Sequence, residues 1–261
     1  MLLAVDAGNT NVTFAIFEGD VLRSEWRTTT NASRTADEYA VWLMQLMALA
    51  GLQPDDIDEA IIATVVPQAL FDLRTLCRRY FHCDPLVIGD DGVDLGIQNL
   101  AHRPREVGAD RLVNCVGAIA EFEGPLIVID FGTATTFDIA DRHGNYVGGI
   151  IAPGVNLNLE ALHMASAKLP RIAVSVPEHV IGKDTVSAML SGVYWGYISL
   201  VEGLVSRIEA EYGATMFVVG TGGLAPLFQG GTKVIKAVDQ DITMRGLFRI
   251  NRQNRANAAD G

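Results

Sequence analysis

The sequence predicts an α/β fold built from two similar halves, and three observations point there. Two short apolar runs, at 2–5 and 126–129, each end in Asp-x-Gly followed by short polar side chains. A shift of 124 positions, close to half of the 261 residues, lays Leu2 on Leu126, Val5 on Ile129, Asp6 on Asp130 and Gly8 on Gly132. Strand-like and helix-like segments alternate between and after them. Internal duplication outweighs any single motif. Its simplest reading is two half-domains that turn their Asp-Gly corners towards one cleft. The halves are expected at 1–120 and 121–255, with a flexible tail over 256–261.

Each element has its own signal. Residues 2–5 are a short continuous apolar run, the mark of a buried strand. Gly8 permits a turn, and Asn9 and Thr10 are turn formers, so a hairpin into the apolar run 14–17 follows, with Asp6 at its throat. Such a turn directs N–H and hydroxyl groups outward, a geometry suited to phosphate oxygens. An ordinary N-terminal hairpin, with Asp and Asn merely capping the turn, would show the same residues. Residues 26–30 read as a strand. Residues 33–38 carry helix-start signals, and Tyr39, Leu43, Leu46, Met47 and Leu49 follow at helical spacing as a core stripe ending at Gly51. Residues 60–66 are a buried strand stopped by Pro67, followed by a helix over 68–80 and a short strand at 86–88. The Gly-, Asp- and Asn-rich stretch 89–104 reads as a surface loop.

A charged cluster at 105–111 then enters a helix carrying Leu112, Val113, Val116 and Ile119. Glu106 and Asp110 also suit the positive end of that helix. The second copy of the opening motif occupies 126–138. A strand at 146–151, a turn at Pro153-Gly154 and a helix over 156–167 follow, then irregular chain over 172–181. Asp184-Thr185 has the chemistry of a helix start, and 186–211 is long and mostly apolar. That helix, with Tyr194, Trp195 and Tyr197, is expected to be buried all round, as core and as subunit interface. A strand at 216–219 feeds Gly220-Thr221-Gly222-Gly223, a turn that lets backbone approach a flat ligand. A short helix over 242–249 and a frayed polar tail over 251–261 complete the chain.

With 49% hydrophobic and 20% charged residues, the chain can bury sizeable cores. Its net charge of −11 and pI of about 4.8 argue against nucleic acid or an anionic membrane as partner, both being polyanions. Phosphate would have to be held by local backbone N–H groups, Arg, Lys or metal ions. The chain shows no secretory-signal pattern and no run of about 18 uncharged apolar residues, so no membrane span is expected. Three cysteines without Cys-x-x-Cys spacing fit a reducing cytoplasm rather than a disulfide framework. The five histidines lack metal-ligand spacing.

Four stretches together carry a resemblance: Asp6-Ala7-Gly8-Asn9-Thr10-Asn11, Gly108-Ala109-Asp110-Arg111, Asp130-Phe131-Gly132-Thr133-Ala134-Thr135-Thr136 and Gly220-Thr221-Gly222-Gly223. The set resembles the acetate kinase, sugar kinase, Hsp70 and actin superfamily, in which two duplicated ribonuclease-H-like (actin-like ATPase) domains hold a nucleotide in the cleft between them. Within it the chain is similar to the type III pantothenate kinase family. The resemblance implies ATP-dependent phosphorylation of pantothenate to 4'-phosphopantothenate, the first step of coenzyme A biosynthesis. It implies that Asp6, Ala7, Gly8, Asn9, Thr10, Asn11, Val12 and Thr13 hold the ATP phosphates, with Thr133 touching ATP and Asp6 helping to place Mg2+. Asp130 would hold a monovalent cation, K+ or NH4+. Gly108, Ala109, Asp110 and Arg111, joined by Thr185, would line the pantothenate pocket, with Asp110 as general base. Residues 220–223 correspond to the adenosine-side loop, and a cytoplasmic homodimer is implied. The family's substrate-contacting tyrosine is missing: the region before Gly108 reads Asn99-Leu100-Ala101-His102-Arg103. Two other readings stay open, a kinase of the same fold acting on another small alcohol, and a nucleotide-binding regulatory protein without turnover.

Overall fold

The structure is a computed structural model that describes residues 1–166 and 168–259. The chain forms two compact units, one comprising Met1–Ala120 with the chain from Ile242 onward, the other Glu121–Asp241.

In the first unit β1 (Leu2–Ala7), β2 (Asn11–Glu18) and β3 (Val21–Thr29) form an antiparallel meander. β4 (Glu59–Thr64) adds parallel to β1, and β5 (Pro85–Val87) parallel to β4, giving the order β3-β2-β1-β4-β5. Both faces of this sheet are covered, which is why β1 is a continuous apolar run rather than an alternating one. On one face Leu3, Val5, Phe14 and Ile62 pack with Leu43 and Met47 of α1 (Ala36–Leu49) and Leu73 and Leu76 of α2 (Pro67–Tyr80). On the other, Leu2, Ala4, Phe17 and Ile61 pack with Val113 and Val116 of α3 (Ala109–Ile119) and with Leu247, Phe248 and Ile250 of α7 (Ile242–Ala259).

Local chemistry sets the helix ends. The Thr35 hydroxyl accepts the Glu38 N–H at 3.3 Å, and the Glu38 carboxylate accepts the Thr35 N–H at 2.8 Å. Such a reciprocal cap is typically worth about 1 kcal/mol. Pro67 sits at the first turn of α2, where its missing N–H costs nothing. α3 and α7 cross at two glycines: a Cβ on Gly117 would lie 2.1 Å from the Ile242 carbonyl oxygen, and one on Gly246 2.1 Å from that of Val113. Only residues without side chains let the two backbones approach so closely.

The second unit repeats the plan. β6 (Leu126–Phe131), β7 (Ala134–Ala140) and β8 (Tyr146–Pro153) form the meander, and β9 (Phe217–Thr221) and β10 (Ala237–Val238) add in parallel on the β6 side. The order β10-β9-β6-β7-β8 matches that of the first sheet strand for strand. One face packs on α4 (Val155–Ala165), α5 (Thr185–Tyr212) and α6 (Ala225–Gln229), through Ile129, Phe137, Leu159, Tyr194, Val201 and Phe228. The duplication is therefore a property of the sheet topology as well as of the motif. The copies differ by one residue in the hairpin. Asp6 lies opposite Thr13 but Asp130 opposite Thr136, so the second turn is one residue shorter.

Several expectations are corrected. β3 begins at Val21 rather than at 26, and β4 ends at Thr64, short of 66. α4 ends at Ala165, and position 167 of the expected helix lies outside the described residues. α6 and β10 carried no usable signal, being only five and two residues long. α5 is not buried all round: Met189, Val193, Tyr194, Tyr197, Ile198, Val201 and Val205 face the core, whereas Ala188, Gly192, Gly196 and Ser199 are exposed. α5 is long and apolar enough to cross a membrane by length and composition alone, a property that the core helix of a globular unit shares. The buried side chains that form one wall of the second unit's core are the structural reason for its apolar character. The frayed tail is instead the second half of α7, which runs to Ala259; the last two expected tail positions lie outside the described residues. α7 belongs to the first unit, so the second ends at Asp241 and not at 255.

Candidate active site

In the first turn, β1, the central strand of its sheet, delivers Asp6 to its C-terminal end, one residue before the chain reverses. The Gly8 N–H donates to the Asn11 carbonyl at 2.9 Å and closes the turn. Thr30, just beyond β3, braces it twice: its hydroxyl donates to the Gly8 carbonyl at 2.6 Å and its N–H to the Thr10 carbonyl at 2.9 Å. Asn9 and Thr10 are exposed at the tip, while Asp6, Gly8, Asn11 and Thr13 are half-buried. Ala7 and Val12 are fully buried in the core, so a ligand at this turn meets only their backbone. Thr30 was not singled out in the sequence, where it reads simply as the end of a strand.

The start of α3 joins this turn through β4. The Val65 N–H donates to the Ala7 carbonyl at 3.1 Å, and a Cβ on Gly108 would lie 3.4 Å from the Val65 side chain. Gly108 is the N-cap of α3, Ala109 its first residue, and Asp110 and Arg111 follow in the first turn. The Asp110 carboxylate accepts the Arg111 N–H at 2.8 Å. That oxygen also lies 2.6 Å from where a Cβ on Gly108 would stand, so glycine there is what lets the carboxylate fold back over the helix start. Burial raises the Asp110 carboxyl above its ordinary value, against the pull of the Arg111 N–H and guanidinium towards the ionised form. The residues expected at this helix start are thus brought together, with the first turn, in one unit.

The second turn is more tightly enclosed by glycine. The Gly132 N–H donates to the Ala134 carbonyl at 3.1 Å. Gly154, the N-cap of α4, packs against it so closely that a Cβ would fall 2.0 Å from the Thr133 carbonyl oxygen. Gly222, at φ +83°, packs on the other side: its Cβ would lie 2.5 Å from an Asp130 carboxylate oxygen and 2.9 Å from the Phe131 carbonyl oxygen. The glycine-rich run after β9 and the Asp130 turn are therefore one feature. Gly154 was read from sequence only as a chain reversal; its role as a spacer is visible only once α4 lies against the turn. Thr133 is exposed at the tip. Thr185 is the exposed first residue of α5, behind an Asp184 cap that accepts the Ser187 N–H at 2.9 Å. Asp130, Thr133 and Thr185 thus stand in the second unit and the other expected site residues in the first.

Where the family tyrosine would fall, the half-buried Ala101 stands in a turn closed by Asn99. The Asn99 side chain accepts the Ala101 N–H at 3.2 Å and donates to the Pro104 carbonyl at 3.1 Å. Among the described residues no three His, Cys, Asp or Glu side chains gather as a metal-binding group.

Comparison with known proteins identifies the family and the fold. The sequence pattern of type III pantothenate kinase matches residues 2–207. A type III pantothenate kinase from Paramagnetospirillum magneticum is 63% identical over 254 residues, covering 97% of this chain and 98% of that protein. Among solved structures, a Baf-family protein from Campylobacter jejuni, assigned as a transcriptional activator, superposes with TM-score 0.63 at 18% identity over 97% of this chain and 99% of that one. A Sinorhizobium meliloti protein assigned as a 2-dehydro-3-deoxygalactonokinase gives TM-score 0.63 at 16% identity, over 97% and 96%. At such identities the structures speak for the fold, that of the two-domain actin-like ATPases. The sequence matches go further, running through both turns and the start of α3: the chain belongs to the type III pantothenate kinase family.

Proposed function

We propose that this chain transfers the terminal phosphoryl group of ATP to the primary hydroxyl of pantothenate, with Asp110 as the general base. The observation that carries the reading is the half-buried Asp110 carboxylate, folded back on the Arg111 N–H at the start of α3. Pantothenate offers an alcohol at one end and a carboxylate at the other. The alcohol must lose its proton as it attacks phosphorus, and that proton passes to the Asp110 carboxylate. A carboxyl raised towards the working pH holds such a proton better than an ordinary one. The Arg111 guanidinium pairs with the substrate carboxylate, and Gly108 and Ala109 keep the helix start narrow enough for the substrate to approach its backbone. Thr185 is a further hydroxyl for the acceptor.

Phosphoryl transfer asks mainly for positioning and charge neutralisation. In so acidic a protein the Asp6–Thr13 turn, with the exposed Asn9 and Thr10 at its tip, suits the ATP phosphates, and Thr133 adds a contact from the second turn. Mg2+ is held in kinases by one or two carboxylates plus phosphate oxygens, and Asp6 provides one at the throat of that turn. The oxygens of Asp130 and Phe131 that flank the missing Gly222 side chain are hard donors of the kind K+ or NH4+ takes. Bound there, these cations would neutralise phosphate charge. A homodimer in the cytoplasm completes the reading. It is supported by the open apolar groove between α4 and α5, lined by Leu162, Ala188, Gly192, Gly196 and Leu200, and by the buried Cys77, Cys83 and Cys115, which form no disulfide among the described residues. Light scattering at twice the chain mass is the expected result for the dimer.

The test of the reaction is ADP release with Mg2+ and K+, comparing pantothenate with a panel of small sugars and polyols. Release with pantothenate that drops when Na+ replaces K+ supports the reading. Release with another alcohol alone would reassign the substrate, and ATP binding without any product would make the chain a regulatory nucleotide binder.

A further inference from the structure

The loop from β5 to Gly108 is tied to the C-terminal half of α7. Over residues 93–97 the loop alternates as a strand does. Val93, Leu95 and Ile97 pack on the sheet-face cluster shared with α7, while Asp94 and Gly96 between them are exposed. Asn254 bonds both backbone groups of Asp94: its side-chain oxygen accepts the N–H at 2.9 Å, and its amide donates to the carbonyl at 2.7 Å. A third bond from Asn254, to the Ile250 carbonyl at 2.8 Å, fixes that carboxamide from the helix side. One oxygen of the Asp94 carboxylate accepts from Gln253 at 2.8 Å and from Asn257 at 3.3 Å; the other accepts the Gly96 N–H at 2.9 Å. These bonds, the Gly96 N–H foremost, hold the Asp94 carboxyl below its ordinary value. Gly96 takes φ +73°, and a Cβ there would stand 2.2 Å from the Gln253 side-chain oxygen, so the loop lies directly on the helix.

We propose that Asp94 and the carboxamides of Gln253, Asn254 and Asn257 form a latch that positions the acceptor-substrate turn. Residues 95–107 run from the latch into Gly108, and beyond it the segment closes on itself through Asn99 and the 3.1 Å pair of Arg103 with Glu106. The latch therefore sets where this segment starts, and with it the approach to residues 108–111. The inference rests on the reading of 108–111 as the pantothenate turn. It also explains why a polar segment that looked like a frayed tail is a helix: its carboxamides are spent on the loop.

The experiment uses the full chain with Asp94→Ala and Asn254→Ala, varying pantothenate and ATP separately. A loosened loop lowers the fraction of enzyme ready to bind, which raises the apparent KM by the same factor. Losing two bonds to the loop backbone in Asn254→Ala, or the carboxylate's three in Asp94→Ala, predicts a rise in KM for pantothenate of roughly 5- to 20-fold. KM for ATP and kcat stay within about twofold, since neither depends on this segment in the same way. Asp94→Asn, which keeps an acceptor for the amides, recovers most of the loss, and amide exchange over 95–107 quickens in Asn254→Ala. Unchanged KM for pantothenate, or equal changes in both KM values alongside a lower Tm, would overturn the latch. If the parent enzyme already fails to phosphorylate pantothenate, the underlying reading falls, and that failure shows before any variant is made.

Discussion

Gly108→Ala puts one methyl group where the Asp110 carboxylate now lies. The added Cβ would stand 2.6 Å from the carboxylate oxygen. Close C···O contacts lie near 3.3 Å, so the carboxylate must retreat by about 0.7 Å. The backbone does not resist the change, because Gly108 has φ −57° and ψ 141°, a conformation alanine adopts freely. Exchanging glycine for alanine at an N-cap costs at most about 1 kcal/mol, or a fall in Tm of about 2–4 °C for a chain of this size. The chemistry should lose far more. Misplacing a reacting group by about 1 Å costs on the order of 10²-fold, about 2.7 kcal/mol in the barrier. Steady-state turnover at saturating substrates, read beside a thermal melt, separates the two effects. The expected result is a folded protein with kcat reduced about 100-fold. A variant whose kcat stays within threefold of the parent would show that the Asp110 position is not critical, and would refute the reasoning.

Two further outcomes follow from the same geometry. Burial favours the protonated Asp110 carboxyl, so this group supports folding fully below about pH 4 and that support is lost as pH rises through its raised value. Asp110→Asn, which cannot ionise, should therefore melt higher than the parent at pH 7.5, with the difference closing towards pH 4; a lower melt at pH 7.5 would count against a desolvated carboxylate. Gly222→Ala forces a side chain into the left-handed region at about 1–2 kcal/mol and drives its Cβ against the Asp130 oxygen 2.5 Å away. With Asp130 at the proposed cation site, it should raise the K+ concentration for half-activation more than tenfold while leaving KM for pantothenate near the parent value; an unchanged K+ curve would overturn that proposal.

Much of this fold is legible in the sequence because its strongest signals are local. Continuous apolar runs ending in Asp-x-Gly mark strands buried on both faces, and Thr35 with Glu38 announces the start of α1. The duplication predicts the matching strand order. What sequence reasoning missed depends on contacts far along the chain. The polar residues 251–259 look like a tail because nothing nearby shows that Asn251, Gln253 and Asn254 bond to Glu59 and Asp94. For the same reason the helix that follows the second unit in sequence could not be assigned to the first. In the candidate site, Asp6 and Asp130 stand out through the repeated Asp-x-Gly pattern, whereas Asp110 stands out only through the family resemblance of residues 108–111. The glycines that shape their surroundings were harder. Gly154 and Gly222 matter through what a side chain would strike, and that is decided only when α4 and β9 come to rest against the second turn.

The most direct test of the central claim, that Asp110 takes the proton of the attacking hydroxyl, is the turnover of Asp110→Asn at saturating ATP and pantothenate. Loss of a general base predicts a fall in kcat of roughly 10²–10⁴-fold with the protein still folded. Turnover close to that of the parent would contradict the account.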